Sequence, residues 1–338
     1  MITTNRLRRW GASQACRTLL LWAGLIMSFV VSAGDYSDRE AVQQVIATAQ
    51  EAGVDPDWAR QLIDAAERQQ SILDAISRPA EKTKAWYEYR KIFLTDRRIR
   101  EGATFWSVHA DTLQAVAART GVPAELMVAI IGVETYYGRI TGSYRVIDAL
   151  ATLAFDYPRR SPFFTGELEQ FLVLAWESGK DALALKGSYA GAMGYGQFMP
   201  SSYRAYARSY EGEGAPDIWD NPADAIASVG NYLKAHGWRA GEKVVINGVA
   251  DDPDPAVFEG GLKPKKTVAA LALDGLEPTE PLKPAELATP LRLEEEDGMR
   301  YWLGLQNFYV ITRYNHSAMY AMAVWELSQA IASARAGS

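Results

Sequence analysis

Cysteine is almost absent from this chain. The single residue, Cys16, precedes an apolar stretch near the N-terminus, so the rest of the 338-residue sequence has no thiol. Disulfide bonds and cysteine-ligated metals are therefore excluded from that part. Cys16 also cannot carry a lipoprotein anchor, because that cysteine must follow the apolar segment, so no lipid anchor is visible.

Positive charge is also scarce. The chain has 35 lysines and arginines against 41 acidic residues, a net charge of −6. Four arginines lie within the first 33 residues, which have no acidic residue, so the remaining chain has a net charge of −10. Such a chain is repelled by nucleic acid and anionic lipid. We therefore expect no nucleic-acid partner.

The first 33 residues have the pattern of an export signal. Their arginines precede or open an apolar run at 18–31, which ends in the small-residue sequence Val31-Ser32-Ala33. This pattern predicts a signal peptide at 1–33 and an exported protein. The alternative is an uncleaved membrane anchor, although the run is shorter than the roughly 20 residues that span a bilayer.

Apolar periodicity and capping residues predict a mainly α protein. Helices are expected at 39–52, 57–69, 96–119, 124–137, 223–236 and 317–334. Short strands are expected at 243–249 and 267–273, and a strand or turn at 304–314. We predict these divisions after the signal: an N-terminal helical domain at 34–107, a helical core at 108–240, a β-rich domain at 241–300 and a C-terminal segment at 301–338.

Glu134 is the strongest catalytic candidate. It lies in the predicted helix 124–137, beside an apolar face that includes Ile130 and Val133. A carboxyl in such surroundings is poorly solvated and tends to stay protonated, as a general acid requires. The alternative is a structural Glu that pairs with Arg139. Asp148 and Asp156, the nearest acids downstream in apolar company, are predicted to cap or terminate local turns.

A glycine-rich segment follows at 187–202, with the sequence GSYAGAMGYGQFMPSS. Its glycines allow a ligand or another backbone to approach closely, and Ser188 and Gln197 could present polar groups. Phosphate binding is disfavoured, because no lysine follows the glycines and neither nucleotide-binding glycine pattern is matched.

Four motifs in order resemble the membrane-bound lytic murein transglycosylase B family. They are GVETYYGR at 132–139, GAMGYGQFMPSS at 191–202, YLKAHGW at 232–238 and YNHS at 314–317 followed by Tyr320. The resemblance implies a lysozyme-like helical core, an accessory helical domain and a small β domain. Glu134 aligns with the single catalytic glutamate. Groove-lining positions fall on Ser188, Gln197, Tyr89, Phe163, Tyr232, Tyr314, Asn315 and Tyr320.

The resemblance also implies the reaction. Glu134 would protonate the β-1,4 oxygen between N-acetylmuramic acid and N-acetylglucosamine, then take a proton from the muramyl C6 hydroxyl, which closes a 1,6-anhydro ring. Expected partners are peptidoglycan glycan strands, with other cell-wall enzymes as further candidates. Two alternative functions remain: a hydrolytic muramidase of lysozyme type, and a non-catalytic peptidoglycan-binding scaffold.

No cofactor is expected to be required. Some members of the family hold calcium in a loop like an EF-hand, and here that loop is 209–220. Its first ligand position is Ser209 instead of Asp, and its last is an Asp instead of a bidentate Glu. We therefore expect at most a weak calcium site at Glu211, Glu213 and Asp220.

Overall fold

The computed structural model describes residues 35–77, 84–251 and 253–337. The predicted signal peptide, 1–33, lies outside these residues. The described part belongs to one compact unit, and the expected mainly α fold with a small β part is confirmed. No single described helix is long and apolar enough to span a bilayer. The consecutive helices Ala110–Thr120 and Ala124–Thr135 are long and apolar enough only when taken together, and the pair is bent by 112°.

The described residues form fourteen α-helices. They are α1 (Glu40–Glu51), α2 (Pro56–Asp64), α3 (Gln70–Ile76), α4 (Trp86–Phe93), α5 (Asp96–Val108), α6 (Ala110–Thr120), α7 (Ala124–Thr135), α8 (Val146–Asp156), α9 (Ser161–Ser178), α10 (Pro200–Tyr206), α11 (Pro222–Ala235), α12 (Val268–Leu273), α13 (Gln306–Tyr314) and α14 (Ala318–Ala336).

Seven strands complete the described fold. They are β1 (Tyr144–Arg145), β2 (Lys186–Gly187), β3 (Val245–Ala250), β4 (Lys266–Thr267), β5 (Leu276–Pro278), β6 (Leu287–Glu295) and β7 (Gly298–Gly304). β1 and β2 pair with each other, and the rest form an antiparallel sheet of order β4-β6-β7-β3-β5.

The larger sheet is buried on both faces. One face presents Leu291, Leu293 and Trp302 to the core of the helical body. The other forms a second core, in which Ile246 and Leu303 pack with residues of α12. Because alternate side chains of a strand point to opposite faces, neighbours such as Trp302 and Leu303 belong to different cores. The sheet is therefore anchored directly on the helices.

Helix starts follow local chemistry. Asp55 caps α2 by accepting the Trp58 amide at 2.8 Å, ahead of Pro56 in the first turn. Asn221 caps α11 in the same way and is followed by Pro222. A side-chain acceptor followed by proline satisfies a free amide and fixes φ at the helix start. The sequences Asp55-Pro56 and Asn221-Pro222 therefore explain why α2 and α11 begin close to the predicted positions.

Three predicted elements were wrong. The helix expected at 96–119 is divided into α5 and α6 at His109, which leaves helical geometry at φ −111° and ψ 26°. The strand expected at 267–273 is mostly α12, because the Thr267 hydroxyl caps a helix by accepting the Ala270 amide. The strand or turn expected at 304–314 is mostly α13.

Asp156 is the last residue of α8, as expected of a residue that terminates a local turn, but the carboxylates of Asp148 and Asp156 both pair with arginines. Asp148 is buried, accepts two hydrogen bonds from Arg145 at 2.7 and 2.8 Å, and also accepts the amide of Glu67. Asp156 pairs with Arg39 at 2.7 Å and with Arg68 at 3.0 Å. Both carboxylates therefore connect α8 to the N-terminal helices.

A close contact between helices fixes the end of α7. Gly132 lies in α7 and Gly102 in α5, and the ring of Tyr137 occupies the space between them. A Cβ at Gly132 would lie 2.6 Å from the Tyr137 ring, and one at Gly102 would lie 2.5 Å from its hydroxyl. That hydroxyl donates to the Arg98 carbonyl at 2.8 Å. The two glycines therefore make room for Tyr137 beside α5.

Gly132→Ala should destabilise the protein by about 1–3 kcal/mol, because the added methyl group collides with Tyr137 in a packed core. The matched control is Gly166→Ala in α9, where a Cβ would meet nothing within 4 Å. That change should stabilise by about 0.5–1 kcal/mol through the helix preference of alanine. Urea unfolding measures both, and equal effects would contradict the contact.

Candidate active site

Glu134 lies in the last turn of α7, half-buried. The hydroxyl of Tyr320, in the first turn of α14, donates to its Oε1 at 2.6 Å. Arg139, the alternative partner considered for Glu134, pairs with Glu101 at 2.7 Å. The carboxyl is thus held by a neutral donor from a helix far along the sequence.

The chain turns sharply directly after Glu134. Tyr136 and Tyr137 both have left-handed backbone geometry, with φ of 53° and 62°. Such geometry is uncommon for residues with a side chain and needs support from its surroundings. Thr135 supplies part of it, because its hydroxyl lies 2.9 Å from the Tyr195 carbonyl and accepts the Gly138 amide at 3.0 Å. The α7 end is therefore attached to the glycine-rich segment.

The hydroxyl groups of Tyr320 and Tyr314 stay protonated and can therefore donate hydrogen bonds. Burial raises the pKa of each well above its ordinary value, and the negative charge of Glu134 raises it further. The Tyr314 hydroxyl donates to the Gly196 carbonyl at 2.6 Å. A Cβ at Gly196 would lie 2.8 Å from that hydroxyl, so only glycine leaves room for it.

An aromatic cluster supports Tyr314 from behind. Its ring centre lies 4.7 Å from that of Tyr232 and 5.9 Å from that of Phe198. Tyr232 is buried, and its hydroxyl donates to the Arg313 carbonyl at 2.5 Å. The predicted groove residue Tyr232 therefore contacts Tyr314 directly. Asn315, the next residue along the chain, is exposed.

The polar residues of the glycine-rich segment shape its backbone. Gln197 has φ of 50°, and its side-chain amide donates to the carbonyls of Thr141 at 3.1 Å and Gly194 at 3.0 Å. The Ser188 hydroxyl accepts the amides of Ala190 and Ala192 at 3.3 and 3.1 Å. Both side chains thus stabilise the loop itself, and their contact with substrate stays a prediction.

Tyr89 and Phe163 differ in position. Tyr89 is buried and close enough to Tyr320 to influence its ionisation. Phe163 lies in the first turn of α9 and is 42% exposed. Its ring contacts are with Phe164 and with the Arg160 guanidinium, 4.2 Å from the ring centre. The structure thus places Tyr89 beside the catalytic candidates, while Phe163 lies on a separate helix.

The loop at 209–220 is held by two side chains from outside it, Asp224 and Lys180. Asp224 is buried and accepts the amides of Tyr210 at 2.8 Å and Asp217 at 2.7 Å. The Lys180 ammonium lies 3.7 Å from the Asp217 carboxylate. Among the described residues, no group of three or more His, Cys, Asp or Glu could hold a metal ion. The candidate calcium ligands of this loop, all exposed, are Glu211, Glu213 and Asp220.

Comparison with known proteins identifies the family of this chain. The family described as Transglycosylase SLT domain matches residues 37–329. The chain is 46% identical over 312 residues to membrane-bound lytic murein transglycosylase B of Escherichia coli, covering 89% of this chain and 85% of that protein. The chain belongs to this lytic transglycosylase family.

Two solved structures of family members are also similar. Soluble lytic transglycosylase SltB1 of Pseudomonas aeruginosa is 49% identical, with a TM-score of 0.83 over 88% of this chain and 100% of that one. SltB3 of the same organism, in complex with NAG-NAM-pentapeptide, is 31% identical, with a TM-score of 0.76 over 86% of this chain and 78% of that one. The lysozyme-like transglycosylase fold predicted for this chain is therefore confirmed.

Two positions of this transglycosylase were not among the predicted site residues. Thr135 and Tyr137 flank the turn after Glu134 and fix it, through the Tyr195 and Arg98 carbonyls respectively. Both lie within the motif at 132–139, so the sequence contained a signal for them. Their roles depend on left-handed backbone geometry, which sequence periodicity does not report.

Tyr320→Phe should lower kcat by about 10-fold to 100-fold, because it removes a hydrogen bond to a catalytic carboxyl. Stability should change little, since the ring remains. The matched control is Tyr203→Phe, which removes a buried hydroxyl bound to the Pro216 carbonyl at 2.6 Å. Initial rates on purified peptidoglycan measure both variants; equal rate losses would show that the Tyr320 effect is not specific to Glu134.

Proposed function

We propose that this chain is a lytic murein transglycosylase in which Glu134 is the only general acid and base. It would cleave the β-1,4 bond between N-acetylmuramic acid and N-acetylglucosamine and leave a 1,6-anhydromuramyl end. The observation that carries the proposal is the hydrogen bond from Tyr320 to Glu134, the acid of the motif at 132–139. Membership of the lytic transglycosylase family supports the reaction class.

The hydrogen bond from Tyr320 suits the first half of the reaction, in which Glu134 acts as an acid. When Glu134 gives its proton to the glycosidic oxygen, the carboxylate that forms is stabilised by a donor already in place. Hydrogen bonds to a charged acceptor are stronger than those to a neutral one. The interaction therefore strengthens as the proton leaves, and this differential stabilisation lowers the barrier.

A second catalytic carboxylate is not needed for this mechanism. A hydrolytic glycosidase usually uses two carboxyl groups that flank the bond. Asp148 and Asp156, the downstream acids considered for such a role, are held in ion pairs with arginines. The C6 hydroxyl of the muramyl ring is already bound beside C1, and this proximity replaces an activated water. Glu134 then needs only to accept its proton.

The glycan groove is proposed to include the residues predicted from the family motifs. Gln197, Ser188, Tyr314 and Tyr320 lie in or contact the glycine-rich segment and the end of α7. Tyr89 and Tyr232 would support the groove from beneath, while Phe163 and Asn315 are exposed and would touch sugar directly. We propose a periplasmic location, peptidoglycan strands as substrate and recruitment by other cell-wall enzymes.

Glu134→Gln should abolish release of muropeptides from purified sacculi, because an amide can neither donate the required proton nor accept one. The wild-type protein should release products with anhydromuramyl ends, which mass spectrometry identifies. Glu125→Gln is the matched control, since it changes a half-buried carboxyl at the other end of α7. It should retain near-normal release.

The alternatives give different products. Reducing muramyl ends from the wild-type protein would indicate a hydrolytic muramidase. Binding to sacculi without any release would indicate a scaffold. Near-normal release by Glu134→Gln would exclude Glu134 as the acid and base.

We also propose that the reaction requires no metal. Addition of millimolar calcium to EDTA-treated protein should change Tm by less than about 1 °C, because Asp224 and Lys180 already satisfy groups of the 209–220 loop. Turnover should be the same with calcium or EDTA. Thermal unfolding by circular dichroism tests this, and a rise of several degrees with calcium would contradict it.

A further inference from the structure

A cavity of about 200 Å³ lies between α6, α11 and the segment that follows α10. Its basic side chains are Arg119 of α6, Arg208 of the segment after α10 and Lys234 of α11. None of the described residues that line it is acidic. The cavity is smaller than the roughly 300–1,000 Å³ of most sites for organic ligands. Its size and its lining therefore suit a small anion.

Main-chain carbonyls hold the three basic side chains in place. The Arg119 guanidinium donates to the Tyr210 carbonyl at 3.2 Å, and the Lys234 ammonium donates to the Arg119 carbonyl at 2.8 Å. The Arg208 guanidinium donates to the Ala207 carbonyl at 2.6 Å. A carbonyl is a neutral acceptor, so these bonds orient the side chains without cancelling their charge. A guanidinium has five N–H donors and an ammonium has three, so donors remain for a ligand.

The positive charge of this cavity has no counter-ion within the described part of the chain. There, none of Arg119, Arg208 and Lys234 forms an ion pair with a carboxylate. Asp224, the acid of α11, uses its two carboxylate oxygens to accept amides of the 209–220 loop. Like charges that converge on one cavity repel each other, and a bound anion relieves that repulsion. Such a local cluster can therefore bind an anion although the whole chain has a net charge of −6.

Ser209 adds a hydroxyl group to the lining of the cavity. It is half-buried and stands at the first position of the 209–220 loop, where the calcium-binding pattern has Asp. A carboxylate there would lie among the cations and reduce their net charge. The serine hydroxyl can instead donate a hydrogen bond to an anion. The residue at this position therefore favours an anion over a metal cation.

The cavity is separate from the contacts of the proposed catalytic residues. Lys234 belongs to the motif at 232–238, which also contains Tyr232. Tyr232 contacts Tyr314 and is not among the described residues that line the cavity. The position of Lys234 is therefore not explained by the proposed reaction.

We propose that this cavity binds a phosphate group, carried either by a small soluble compound or by a lipid headgroup. A phosphate monoester has a charge of about −1.5 to −2 at pH 7, whereas a carboxylate has a single negative charge. Three cations suit the higher charge, and a planar guanidinium can donate two parallel hydrogen bonds to phosphate. This binding is independent of the proposed reaction, because it requires no cleavage of glycan.

Isothermal titration calorimetry with inorganic pyrophosphate at low ionic strength tests the site. The wild-type protein should bind pyrophosphate. The cavity variant, Arg119→Gln with Arg208→Gln and Lys234→Gln, should bind it at least about 10-fold more weakly, because charge-assisted contacts are lost. Ser209→Asp should also weaken binding by about 10-fold, because its carboxylate repels the anion. This single change tests the site even where the cavity variant fails to fold.

The matched control removes the same number of positive charges elsewhere. It combines substitutions of three exposed cations that each pair with a carboxylate: Arg239→Gln, Lys243→Gln and Arg300→Gln. This control should bind pyrophosphate like the wild type. Absence of binding by the wild type, or equal weakening in the cavity variant and the control, would overturn the phosphate site.

Vesicles distinguish the two sources of phosphate. Phosphatidic acid in phosphatidylcholine vesicles presents a phosphate monoester at a lipid surface, and co-sedimentation measures binding. Binding by the wild type and the control, but not by the cavity variant, would identify a lipid headgroup. Binding of pyrophosphate without binding to these vesicles would identify a soluble phosphate compound.

Turnover separates the phosphate site from the glycan site. The cavity variant and Ser209→Asp should release muropeptides from purified sacculi at the wild-type rate. Loss of release in both variants, in proportion to their loss of pyrophosphate binding, would show that the cavity belongs to the glycan site. That result would overturn a separate phosphate site.

Discussion

The hydrogen bond between Tyr320 and Glu134 joins residues 186 positions apart in the sequence. A carboxyl that must both give and receive a proton needs a fixed position, because proton transfer depends on hydrogen-bond distance. Much of the fold provides that position. α7 is buried over most of its length, and Tyr137 and Thr135 fix its end against α5 and the glycine-rich segment. α14 packs against the same helices and brings the hydroxyl donor.

In the sequence, the larger sheet lies between the two parts of the site, which are the end of α7 with Glu134 and the helices that contain Tyr314 and Tyr320. The chain leaves the helical body after α11, forms β3 to β7, and returns in α13 with Tyr314 and in α14 with Tyr320. The sheet packs on the helical core through Trp302 and Leu291. The inserted sheet therefore lies beside α4, and α13 and α14 still contact the helical body.

Helices with clear starts and an apolar period could be predicted from the sequence, as at Asn221-Pro222 for α11. Short or polar elements could not. The segment 268–273 is too short to show a helical period, and α13 depends on buried Asn307, whose amide contacts Arg239 and Glu242 far from it in sequence. Glu134 stood out because of its motif. The functions of Thr135 and Tyr137 could not be predicted from the sequence, because they arise from backbone geometry and from space left by Gly102 on another helix.

We propose that one carboxyl suffices because the nucleophile belongs to the substrate. Turnover of purified sacculi in water enriched in oxygen-18 tests this most directly, with products analysed by mass spectrometry. We expect muramyl ends that are lighter by one water than a reducing end and contain no oxygen-18. Oxygen-18 at C1 of the released muramyl residue would show that water attacks, and would contradict a transglycosylase acting through Glu134 alone.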